Sequence, residues 1–256
     1  MHIKLLVMGG AFTLLPLSAH AIVNVEQAII GKPAEGIHTT VDLLANGSSG
    51  NSVKNTIKAN ALTLWKHEAH TEFLQVQYAY GKSREQVDTN RAFAHLRHRT
   101  DISPAWGIEG FVQIGRDPFA RLAQRTLLGG GVRYVLFEED QKSAAYLGAG
   151  AFNERETRSV KAGTNDPVQT NLWRANTYVV FKQRINDQVR LYNTTYYQPA
   201  INNTADFRLL EQASMLVKLA DQLDLKVSLD ISFNSKPPQT VQKRDLFYSA
   251  GLEFSF

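Results

Sequence analysis

The chain has 256 residues, 28 of them basic and 24 acidic, and no cysteine. A mild basic excess with no block or stripe argues against a nucleic-acid partner. Disulfides are excluded, and past the first residues no apolar run approaches the ~20 residues of a transmembrane helix.

Residues 1–21 carry Lys4, a largely apolar core over residues 5–17 and the small-x-small triplet Ala19-His20-Ala21. This is the pattern of a secretory signal peptide cleaved after Ala21. Residues 22–36 contain Gly31, Pro33 and Gly36, alternate poorly, and read as a periplasmic N-terminal arm or a short plug segment. From Ile37 onward the hydrophobic period is two, the period of a strand with one apolar face. The first strand covers residues 37–46 and turns at Ser48-Ser49-Gly50-Asn51. The second runs to Trp65, and residues 66–70 connect it to a third ending at Tyr80. Residues 82–88 read as a charged loop, residues 91–97 as a fourth strand, and residues 101–104 as a turn into the fifth, 106–114. Strands follow over 128–136 and 145–151, joined by an acidic turn at 138–141, and residues 154–169 read as the longest loop. Residues 173–182 and 189–197 form the next pair, the latter mixed on both faces. After a loop at 201–206, Phe207, Leu209, Ala213, Met215, Val217 and Leu219 share a parity with Glu211 as the exception. Residues 223–234 alternate most cleanly, 235–244 form the last loop, and 245–256 the last strand.

The expected fold is all-β: an up-and-down antiparallel transmembrane barrel of about 12 strands spanning residues 37–256. Such strands need only ~9–11 residues to cross a bilayer when tilted. Connections after even-numbered strands are mostly tight and several after odd-numbered ones longer, as in barrels with short periplasmic turns and longer outer loops. Trp65, Trp106 and Phe181 fall on the apolar parity near expected periplasmic ends and Trp173 near an outer end, the positions of an aromatic girdle. On the last strand Tyr248, Leu252, Phe254 and Phe256 share the apolar parity. This resembles the terminal strand that the outer-membrane assembly machinery reads as a signal.

Further motifs carry a resemblance to a family. Ser49-Gly50-Asn51, Tyr80-Gly81, Asp88-Thr89-Asn90, the run from Leu128 through Gly129, Gly130 and Gly131 to Tyr134, and Leu147-Gly148-Ala149-Gly150 resemble the YdiY-like family of salt-induced outer-membrane proteins (domain of unknown function 481). The resemblance covers residues 36–256. It implies an outer-membrane location and a link to salt and brings no catalytic or binding residues to carry over; no cofactor is expected. The expected partners are outer-membrane lipid and lipopolysaccharide, the barrel-assembly machinery and periplasmic chaperones.

The candidate chemistry lies mainly inside. Gly129, Gly130 and Gly131 lie within a strand, where they bend a barrel wall and do not cradle phosphate. His95 and His98 point to opposite faces of a strand, and His67 and His70 flank Glu68 in a polar turn. No Gly-x-Ser-x-Gly motif is present, and Ser48 and Ser49 have no evident histidine partner. The polar parity holds Asp42, Lys54, Lys58, Arg91, Arg97, Glu109, Arg133, Arg174, Lys182, Arg190, Lys218, Asp224, Lys226, Asp230 and Glu253. Facing lipid at mid-depth, each Arg or Lys would cost ~2–4 kcal/mol, so they are expected to face the lumen. Two functions follow: a small passive channel for ions or small solutes linked to envelope stress, or a non-conducting structural barrel whose loops contact lipopolysaccharide. A membrane-embedded lipid hydrolase is a third, less favoured reading.

Overall fold

The structure, a computed structural model, describes residues 33–48, 54–139 and 142–256. The expected signal peptide, residues 22–32 of the expected arm and the expected turn at Ser49-Gly50-Asn51 lie outside the described residues. Twelve strands follow in order: β1 Gly36–Ser48, β2 Lys54–His67, β3 His70–Ser83, β4 Gln86–Asp101, β5 Trp106–Asp117, β6 Leu122–Glu139, β7 Ser143–Arg158, β8 Gln169–Arg184, β9 Val189–Ala200, β10 Asn203–Ala220, β11 Leu223–Asn234 and β12 Arg244–Ser255. Each pairs antiparallel with its neighbours in sequence, and β12 pairs with β1 to close the barrel. Gly36 and Ser255 lie at one rim, here the near rim, with the turns after β2, β4, β6, β8 and β10.

Strand lengths of 12 to 18 residues exceed what a bilayer requires, so several hairpins project beyond it. Three expected loops prove to be mostly strand, the loop at 201–206 because β10 already begins at Asn203. Alternation continues through Glu154, Glu156 and Arg158, shortening the connection to residues 159–168. Residues 82–88 mostly join the β3–β4 hairpin, whose two-residue turn places Arg84 and Glu85 at φ 48° and 65°. Two positive φ values in succession give the turn a twist that matches the flanking strands. Tight turns therefore occur at the far rim as well.

A single closed sheet has one inner and one outer face, and the parity of each strand assigns its side chains. Exposed Leu, Val, Ile and aromatic residues band the outside: Ile37, Leu43, Leu74, Val76, Val112, Val132, Val179, Val227 and Leu229. Water would not tolerate so continuous an apolar surface, whereas hydrocarbon does. Trp65, Trp106, Trp173 and Phe181 all project outward, with Trp106 tilted against Tyr134 at 4.7 Å. On β12, Tyr248 and Leu252 are exposed and Phe254 half-buried; Phe256 follows the strand, exchanging backbone hydrogen bonds with Thr39 of β1.

The inner face is less uniformly polar than alternation suggests. Phe111, Leu127, Tyr146, Phe152, Tyr178, Val180, Tyr196 and Leu210 form an apolar core within the β5–β10 half. Glycine makes room for it. Gly129 stands opposite Phe152, and a Cβ on Gly148 would fall on the Tyr178 ring. At Gly131 and Gly150 a Cβ would meet the partner strand's backbone. Gly148→Ala should therefore destabilise the barrel by about 1–3 kcal/mol or more through overpacking. Gly110→Ala, where nothing lies within 4 Å of the added carbon, should be close to neutral. Urea unfolding of both variants in lipid bilayers checks the contrast.

Candidate functional site

Beside two smaller apolar clusters, one of Leu62, Leu64 and Phe73 and one of Tyr192 and Leu216, three groups of polar side chains occupy the lumen. The first lies toward the far rim. Glu154 accepts from Arg125 at 2.6 Å, Arg208 at 2.6 Å and Arg174 at 3.0 Å. Glu156 takes Arg208 at 2.6 Å and Arg158 at 2.7 Å, and Arg174 reaches Asp206 at 3.0 Å. These side chains come from β6, β7, β8 and β10, and the pairs of Arg208 with Glu154 and Glu156 and of Arg174 with Asp206 tie non-adjacent strands across the interior. Apart from Arg158 and Asp206 their side chains are at most 5% exposed. Burial of this depth is tolerable only because each charge meets an opposite one with hydrogen-bond geometry.

The second group spans the closing seam. Asp42 of β1 and Glu253 of β12 stand directly opposite one another. Two carboxylates at such a pair repel. Lys226 of β11 bridges them, at 3.0 Å from Asp42 and 2.8 Å from Glu253. Asn60 donates to Asp42, Gln75 donates to Asn60, Arg190 pairs with Asp224, and Lys58 lies 4.0 Å from Asp230. The third group sits against the aromatic core. Glu109 accepts from Arg99 at 2.7 Å, Arg97 at 3.5 Å and the Tyr178 hydroxyl at 2.8 Å. Arg133 lies over the Tyr146 ring at 3.5 Å, with Lys182 at 5.6 Å.

Of the fifteen charged residues read on the polar parity, Asp42, Lys58, Arg91, Arg97, Glu109, Arg133, Arg174, Lys182, Arg190, Asp224, Lys226, Asp230 and Glu253 are buried or half-buried inside. Lys218 instead reaches the near rim, where it is exposed and pairs with Asp221 at 2.9 Å. The Lys54 side chain lies outside the described residues. The reading missed Arg125, Glu154 and Glu156, which fall on the inward parity once β6 and β7 are extended, and Arg208, which lies on the inward parity of the strand read from Phe207. His67 is not paired with Glu68 but lies 4.0 Å from Glu72, which His98 approaches at 2.6 Å. His95 is fully buried against Gln113.

A latch joins three far-rim connections. Arg121, left-handed at φ 59° after the short 3₁₀ turn Pro118–Ala120, donates to the Ser159 carbonyl, Asp166, Thr164 and the Gln239 carbonyl. The Gln239 backbone N–H donates back to Asp166 at 3.0 Å. That hydrogen bond, then the contact with Arg121, holds the Asp166 carboxyl below the usual carboxylate range.

Lys226→Met would leave Asp42 and Glu253 facing each other without a cation. It should cost about 3–5 kcal/mol of barrel stability, read from urea unfolding in bilayers, and adding Asp42→Asn should recover most of the loss. The latch should respond to pH. A depressed folded-state value means its stabilisation is complete above the unfolded value of ~3.9 and lost as pH falls through the folded one. Protection of residues 159–168 against hydrogen exchange, measured relative to the intrinsic rate at each pH, should therefore fall in acid, and Asp166→Asn should remove that dependence.

The fold resembles solved transmembrane barrels. The translocator domain of autotransporter NalP from Neisseria meningitidis aligns at a TM-score of 0.50 with 11% identity, covering 88% of this chain and 89% of that one. The NanC porin aligns at 0.49 with 10% identity, over 85% of this chain and 98% of that one. No curated protein sequence matches. The family model for DUF481, "Protein of unknown function", matches residues 41–256, most of the chain, and the protein belongs to that family.

Proposed function

We propose that the protein is an integral outer-membrane barrel, near rim toward the periplasm, whose lumen is sealed against bulk flow. The observation that carries this is the interior of the β5–β10 half. There Leu127, Phe152, Tyr196, Leu210 and Glu154 are between 0% and 1% exposed, and Arg174 at 2% spans from Glu154 to Asp206. A tube filled by aromatic rings and paired guanidinium groups leaves little space for hydrated ions on that side. The barrel then serves as a rigid envelope component. Its far-rim connections would meet lipopolysaccharide, and the outward Tyr248, Leu252 and Phe254, with Phe256 beyond them, would meet the assembly machinery. The response to salt that the family resemblance implies would act at exposed rim pairs such as Lys218–Asp221, because screening reaches exposed charge far more than buried charge.

One observation favours a second reading, a narrow ion passage. On the β11–β12–β1–β2 side the Lys58, Lys226 and Asp42 side chains keep 17%, 16% and 22% exposure, marking a hydrated strip. Planar-bilayer recording separates the two. Folded protein should give no unitary conductance steps. Steps whose ion preference shifts on Lys58→Glu would favour the passage and overturn the sealed barrel.

A further inference from the structure

A carboxylate interrupts the apolar outer face at mid-strand. Glu211 lies at the middle of β10 on the same side as Leu209 and Ala213, and it is only half-buried. It accepts hydrogen bonds from the Asn193 amide and the Thr195 hydroxyl of β9, which are both neutral and both outward. Among the described residues no lysine or arginine projects outward from β8, β9, β10 or β11, so this charge has no counter-ion on its own face. An ionisable side chain at hydrocarbon depth is costly and marks a site of function more often than chance.

A groove leads to it. Paired positions on successive strands place Trp106, Tyr134, Leu147, Val179 and Thr195 in one outward row, and the next residue in that row is Glu211. The first five of these line a groove in the outer wall. Its floor is low because Ala149 and Thr177 carry small side chains, and Tyr197 also borders it. Aromatic rings therefore stand at one end of an apolar trough and a carboxylate at the other, with Thr195 belonging to both.

We propose that this trough is a binding site for lipophilic cations, molecules with an aromatic or branched apolar body around one positive centre, entering sideways from the membrane. The charge sign selects a cation. The hydrocarbon setting selects one whose own body shields it, since a small hydrated ion would have to shed its water. Trp106, Tyr134 and Tyr197 suit such a body through ring stacking and cation–π attraction.

The test uses tetraphenylphosphonium with the purified full-length protein in nanodiscs, read by equilibrium dialysis and tryptophan fluorescence. Binding should saturate, and Glu211→Gln should weaken it at least about ten-fold, the scale expected when one partner of a desolvated charge pair is neutralised. Glu211→Gln retains volume and hydrogen-bonding capacity, and heat-modifiable gel mobility verifies that it folds. Glu211→Asp should keep most of the binding, and neutral triphenylphosphine oxide should not saturate. Absence of saturable binding overturns the proposal. So does affinity unchanged by Glu211→Gln, or equal binding of the neutral compound, since either outcome reduces the trough to an apolar depression filled by lipid.

Discussion

A sheet that crosses hydrocarbon must close on itself, because each backbone N–H and C=O left at an edge would lack a partner. In this barrel the closing contact is the thinnest. Strands β1 and β2 pair along all 13 residues of β1, whereas β1 and β12 pair at four positions, extended by the Thr39–Phe256 backbone bonds. One of those four positions sets Asp42 against Glu253. The seam is thus short and, without help, electrostatically opposed. Lys226 supplies that help from the neighbouring strand, so a lumenal lysine acts as part of the closure and is not merely a charge in a pore.

The remaining interior follows from the size of the tube. Twelve strands enclose more volume than an eight-stranded barrel, whose side chains just fill the space. Here the two halves resolve the excess differently. On β5–β10 the wall is thinned by glycine and filled with large side chains, including Phe152, Tyr178, Tyr196 and Arg174. On the seam side Lys58, Lys226 and Asp42 keep partial exposure. Cross-lumen bonds such as Tyr178 to Glu109, linking β8 to β5, fix this packing, which nearest-neighbour strand pairing alone could not do.

Much of the architecture was legible because period two is a local property. Each residue declares its face by its neighbours, and a one-residue slip would have put Val227 and Leu229 inside and Lys226 and Asp230 in lipid. What escaped was long-range. Glu154 and Glu156 looked like loop residues since they sit in a charged stretch. They are strand residues because Arg125, Arg174 and Arg208, distant in sequence, converge on them. Sequence alternation carries no record of which cation meets which anion across a lumen. It likewise could not show that His67 comes within 4.0 Å of Glu72, since that approach depends on the register between β2 and β3.

Both faces also depart from the simple pattern, in opposite senses. Apolar rings gather inside, and a carboxylate with its amide and hydroxyl sits outside. The inner departure has a packing reason: paired charges cannot fill volume as densely as rings can, and the glycines across from those rings accommodate them. The outer departure has no such reason. Glu211 fills no cavity, ties no distant strands, and draws its hydrogen bonds only from the adjacent β9. Leucine at that position would match Leu209 and Met215 and would face hydrocarbon without cost. A feature that is unfavourable in its own surroundings and unnecessary to the packing is better explained by something it meets than by the fold that bears it.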